Sequence, residues 1–164
     1  MKKFFFIFVL YWLHSCNGTE KVNADTIKTS ISEKQNTEKI ERVIYESGGD
    51  KSGKNVHLVI TKDSIIYRLT EGVTDEKTIA NLSLNNNNKD WEAFIDKIDL
   101  EDFEKGKPSE ELIMDLPTTK IIIKTDKKEY SKTDIQNNKT WDYITKQVID
   151  IKYSKLYNHL NLKK

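Results

Sequence analysis

Val56-His57-Leu58-Val59-Ile60-Thr61-Lys62-Asp63-Ser64-Ile65-Ile66-Tyr67-Arg68-Leu69 is the stretch whose reading decides the fold. Two runs rich in β-branched and aromatic residues flank Lys62-Asp63-Ser64, three residues suited to a tight turn. Side chains alternate between the two faces of a strand, so Val56, Leu58 and Ile60 share one face, as do Ile65, Tyr67 and Leu69. The pattern predicts an antiparallel hairpin with one buried side.

Strand and turn signals continue on both sides of it. Upstream, Ile40-Glu41-Arg42-Val43-Ile44-Tyr45 reads as a strand, and the polar, glycine-bearing Ser47 to Lys54 as a long turn. Downstream, Gly72 to Lys77 reads as another turn and Ile79 to Leu84 as a returning strand. After Asn85-Asn86-Asn87-Asn88 the period changes. Trp91, Phe94, Ile95 and Ile98 recur at i, i+3, i+4 and i+7, the stripe of an amphipathic helix that Asn88 or Asp90 is placed to cap. Leu100 and Phe103 are expected to pack where that helix ends, and Glu104 to Pro117 reads as irregular. Lys120-Ile121-Ile122-Ile123-Lys124 and Glu129-Tyr130-Ser131 form a second hairpin around Thr125 to Lys128. Asn137-Asn138-Lys139-Thr140 then leads into a helix carrying Trp141, Ile144, Val148 and Ile151 on one face and running to about Tyr157. The fold class expected is α+β: an antiparallel sheet built of hairpins, with two amphipathic helices packed on one face.

The two halves rhyme. Ile60, Asp63 and Tyr67 have the spacing of Ile123, Asp126 and Tyr130, and Asn88-Lys89-Asp90-Trp91-Glu92 matches Asn138-Lys139-Thr140-Trp141-Asp142. Duplication and convergence on good turn and cap chemistry both account for it.

The start of the chain is of another kind. Lys2 and Lys3 precede ten apolar residues, Phe4 to Leu13, and the text turns polar after His14-Ser15-Cys16. A basic start, a short apolar run and a small residue before the cut describe a secretory signal peptide. As a helix the run rises about 15 Å, half of a hydrocarbon core of about 30 Å. Leu13-His14-Ser15-Cys16 resembles the lipobox of bacterial lipoproteins. That resemblance implies a diacylglycerol on the Cys16 thiol, cleavage before Cys16 and acylation of the new amino terminus. It also implies export and anchorage in the cell envelope, in the outer membrane facing the periplasm or the surface. Cys16 is the single cysteine, so no intramolecular disulfide competes for it. The chain therefore divides into a signal peptide at residues 1–15, a lipidated cysteine and disordered tether at 16–39, and one domain at 40–164.

Charge narrows the partners. The formal net charge is +1, and removal of Lys2 and Lys3 lowers it by two, to −1. That balance argues against nucleic acid, which needs a basic footprint, and leaves membrane attachment to the lipid on Cys16.

No pattern of residues carries a recognisable chemistry. His14, His57 and His159 are not spaced for zinc, so no metal site and no cofactor is expected. There is no Gly-x-Ser-x-Gly elbow, and Glu101-Asp102 and Glu110-Glu111 read as solvated acids, so no catalytic residue is assigned. Gly48, Gly53 and Lys54 approach a phosphate-binding loop, but Asn55 stands where Ser or Thr is needed and a strand follows. Tyr45, Tyr67, Trp91, Tyr130, Trp141, Tyr143, Tyr153 and Tyr157 have the spacing of core residues more than of a sugar- or peptide-binding platform. Asp25-Thr26-Ile27 and Asp63-Ser64-Ile65 resemble the O-glycosylation acceptor of some exported bacterial proteins. The expectation is an envelope lipoprotein that serves as a non-enzymatic binding or interaction module. The alternatives are a cell-envelope hydrolase and an inhibitor or immunity-type protein.

Overall fold

The computed structural model describes residues 38–49, 51–72, 76–109, 117–157 and 159, all within the unit Gln35–Lys164. The expected signal peptide at residues 1–15, Cys16, nearly all of the expected tether at 16–39 with its Asp25-Thr26-Ile27, and Glu110-Glu111 lie outside the described residues.

Six strands form one antiparallel sheet: β1 (Ile40–Gly48), β2 (Lys54–Thr61), β3 (Ser64–Glu71), β4 (Lys77–Asn85), β6 (Thr118–Thr125) and β7 (Glu129–Thr133). The order across the sheet is β4-β3-β2-β1-β6-β7. The α+β class expected from periodicity is the class observed. The quoted hairpin is β2 and β3, with Leu58 opposite Tyr67 and Ile60 opposite Ile65. Strand β1 occupies the middle because it pairs on both sides, Tyr45 facing Leu58 of β2 and Ile121 of β6. A bulge between Ile40 and Arg42 returns Ile40 to the buried face. A two-residue pairing of β5 (Lys107–Pro108) with β8 (Ile135–Gln136) makes a second, small sheet.

The helices among the described residues pack on one face. Helix α1 (Asn88–Ile95) buries Trp91 and Phe94, and α3 (Lys139–Ile151) buries Trp141, Ile144 and Val148. They meet Val43, Leu58, Ile60, Ile65, Tyr67, Ile121, Ile123 and Tyr130 from the sheet in a single core. A π-helical turn, Lys152–Leu156, continues α3 and buries Leu156 completely.

Two local features differ from expectation. The cap of α1 is Asn87, whose side chain accepts from the Asp90 N–H. Asn86 is committed elsewhere, donating from its side chain to the Thr61 carbonyl and from its backbone to Asp63. The cap therefore falls one residue beyond that tie, and the helix begins at Asn88. A separate third helix, α2 (Leu100–Lys105), stands where Leu100 and Phe103 are expected to close the first helix, and it takes in the first two residues of the stretch read as irregular. Asp99 caps it by accepting from the Glu101 and Asp102 N–H groups, and Leu100 and Phe103 enter the core.

Candidate functional site

The face of the sheet away from the helices is the candidate site. Strand alternation puts Arg42, Ile44 and Glu46 of β1 on this side, opposite in phase to Val43 and Tyr45. Register then assembles three cross-strand rows. The central row runs Ser83, Ile66, Val59, Ile44, Ile122, Ser131, with four consecutive aliphatic residues on four neighbouring strands. At a strand spacing of about 4.8 Å these four span about 14 Å. Above it runs Asn81, Arg68, His57, Glu46, Lys120, Thr133. Below it runs Asn85, Ser64, Thr61, Arg42, Lys124, Glu129.

Exposure across the apolar row is graded. Ile44 and Ile122 are 9% and 8% exposed, and Ile66 is 39% exposed. Arg42, Glu46, Lys120 and Lys124 flank the two central isoleucines along their own strands. Long side chains of this kind cover apolar neighbours with their methylene stems while the charged heads stay in water.

The upper row opens into a depression of about 510 Å³ that also touches Gly48, Asn55, Thr70 and Glu76. His57 Nδ1 lies 3.2 Å from Glu46 Oε1, and Lys120 Nζ lies 3.9 Å from Glu46 Oε2. Gly48 forms part of the floor: a Cβ there would come within 2.0 Å of Asn55 Oδ1, so the Asn55 amide lies across the position a side chain would fill. Arg68 forms no ion pair among the described residues. Four cations (Arg42, Arg68, Lys120, Lys124) stand against two carboxylates (Glu46, Glu129) in these rows, so the face is basic on a nearly neutral chain.

The residues singled out in the sequence are dispersed. His57 sits on the open face, partly exposed beside Glu46, and His159 is exposed near the end of the described chain. Asp102 is structural, its carboxylate accepting from the Thr140 N–H, and Glu101 pairs with Lys105 along α2. The near-phosphate loop is the β1–β2 connection, with Gly49 and Gly53 at φ 85° and 62°, a conformation that favours glycine. In Asp63-Ser64-Ile65, Ser64 bonds to Thr61 across the hairpin turn and Ile65 is buried.

The aromatics go mostly to the core. Trp91 and Phe94 rings sit 6.0 Å apart, Phe94 and Tyr143 6.0 Å, and Phe103 and Trp141 6.5 Å. The Tyr143 hydroxyl donates to the Phe94 carbonyl, and burial raises its pKa. Tyr153 and Tyr157 alone of the eight aromatics named above are exposed.

Glu46, Arg68, Lys120 and the aliphatic row were not singled out in the sequence. The signal was present: Val59 and Ile66 are apolar at the positions the hairpin alternation assigns to solvent. No protein-family model matches the chain, and neither does any curated protein.

Proposed function

We propose that the chain is an exported, lipid-anchored envelope protein whose domain is a binding module, and that the open sheet face is its recognition surface. The observation that carries this reading is the row Ile66-Val59-Ile44-Ile122 between two charged rows. Ile66, 39% exposed beside the part-exposed Val59, offers the apolar anchor of a protein-recognition surface, while Ile44 and Ile122 are already buried and the charged rows beside them set orientation. The excess of arginine and lysine fits a partner that is acidic around an apolar patch. The lipid anchor rests on the resemblance of Leu13-His14-Ser15-Cys16 to a lipobox.

The test is site-specific photo-cross-linking of the full chain in its native envelope. A cross-linker replacing Ile66 should trap one discrete partner, and a cross-linker replacing Glu92, on the exposed side of α1, should not. The additional substitution Arg68→Glu should abolish the product from position 66. Equal products from both positions, or indifference to Arg68→Glu, would overturn the reading.

One observation favours the hydrolase alternative. The Glu46 carboxylate beside His57 Nδ1 resembles the orienting half of a general-base pair. Among the described residues no serine or threonine hydroxyl bonds the other ring nitrogen, which is where a nucleophile would sit. The binding reading therefore accounts for more of this face.

A further inference from the structure

The two edges of the sheet are unlike. Strand β7 is five residues long and bears Glu129 and Lys132, with Glu129 Oε2 held 2.6 Å from Lys124 Nζ. Short length and charge are the usual means by which an edge is kept from pairing with another chain. Strand β4 has nine residues and, among the described residues, pairs only with β3. From Thr78 to Asn87 it and the following loop carry no charge, in a chain of which 32% is charged. Its irregularity is a bulge at Ile79, near the start, which leaves Ala80 to Asn85 regular. Ile79 itself is 44% exposed.

The side chains of that regular stretch sort by face. Ala80, Leu82 and Leu84 point to the helix side, where the core covers them only in part. Asn81, Ser83 and Asn85 point to the open side and are exposed.

We propose that β4 pairs antiparallel with β4 of a second copy of this chain about a two-fold axis through Leu82, joining two six-stranded sheets into one. In this register Leu82 faces Leu82 of the second copy, Ala80 faces its Leu84, and Asn81 faces its Ser83. Apolar meets apolar and amide meets hydroxyl. Lys77, the nearest upstream charge, falls opposite Asn87, beyond the end of the facing strand. Every side chain that the pairing needs is already on the strand, and this self-complementarity favours a second copy over a foreign segment. Main-chain hydrogen bonds supply the affinity and the alternating side chains the register. A two-fold axis that joins two edges antiparallel stands perpendicular to the sheet. Both helix layers therefore lie on one side, and both open faces lie side by side on the other. The pairing itself does not depend on what that face binds.

Disulfide trapping in the full chain tests it. Asn81→Cys with Ser83→Cys places thiols directly opposite each other across the two-fold axis, at positions whose exposure leaves the fold intact. Mild oxidation should convert most of this variant to a covalent homodimer. The equivalent pair on the other edge, Ser131→Cys with Thr133→Cys, should stay monomeric, as should the parent chain with Cys16 alone. Absence of the β4 dimer, equal trapping at both edges, or trapping to a different protein would overturn the proposal. Dimer formation by Asn81→Cys alone as efficient as by the pair would overturn the register. Independently, Asn81→Lys with Ser83→Lys sets like charges face to face. It should weaken self-association in sedimentation at least about tenfold, whereas Asn81→Thr with Ser83→Thr should leave it unchanged. Equal sedimentation of the two double variants would also overturn it.

Discussion

Asn138 shows how much one side chain holds together. Its Oδ1 accepts from the Trp141 N–H at the start of α3, and its Nδ2 donates to the Asp102 carbonyl at 2.5 Å. It is only 3% exposed, and its bond to the Trp141 N–H is fully buried, so water does not substitute there. Substitution Asn138→Ala should remove a helix cap, worth about 1 kcal/mol. It also removes the donor from the part-buried Asp102 carbonyl, at about 1–3 kcal/mol. Urea denaturation should therefore show a loss of about 2–4 kcal/mol; a loss below about 1 kcal/mol would mean that the Asp102 carbonyl finds another donor. The cap was legible in Asn137-Asn138-Lys139-Thr140 because cap chemistry is local. The bond to Asp102, 36 residues away, was not.

At the scale of elements, α1 and α3 are held by their tryptophans and by a charged tie. Trp91 and Trp141 are 4% and 7% exposed. Truncation of either to Ala should cost about 3–5 kcal/mol in urea melts, and iodide should quench the parent fluorescence poorly. Parent-like melts with full quenching would contradict the burial. The tie is Lys155 Nζ to Asp90 Oδ2 at 2.9 Å, linking the turn after α3 to the first turn of α1. The hydrogen bond and charge of Lys155 hold the Asp90 carboxyl below its ordinary pKa. A depressed carboxylate contributes stability above its unfolded pKa, and that contribution is lost as pH falls through the folded value. Titration of the Asp90 carboxyl by NMR should give a midpoint below the ordinary carboxylate range, and Lys155→Met should raise it. An unmoved midpoint would show that Lys155 is not the cause. Helix α2 escaped the sequence reading because six residues offer fewer than two turns of periodicity. Its Asp99 cap was the one local sign.

For the whole molecule, the proposal of a lipid anchor makes a separate prediction. Replacement Cys16→Ala should abolish metabolic acyl labelling and shift the protein from the detergent phase to the aqueous phase or leave it unprocessed. Labelling that persists in this variant would remove the lipoprotein reading, while the binding face and the β4 edge would stand on their own tests. The sequence by itself determined the six long strands, the helices α1 and α3, and which face of the β2–β3 hairpin packs into the core, but not α2 or the β5–β8 pair. What it determined follows from periods of two and 3.6 that a local window contains. It also determined the two hairpins, because Lys62-Asp63-Ser64 and Thr125 to Lys128 fix turn and register together. Tertiary structure alone decided that β1 lies between β2 and β6 and that, among the described residues, no helix packs on the second face and β4 is an edge strand. Those outcomes depend on pairing between segments far apart in the chain. Such pairing is selected by total burial on the helix side, which no local period encodes.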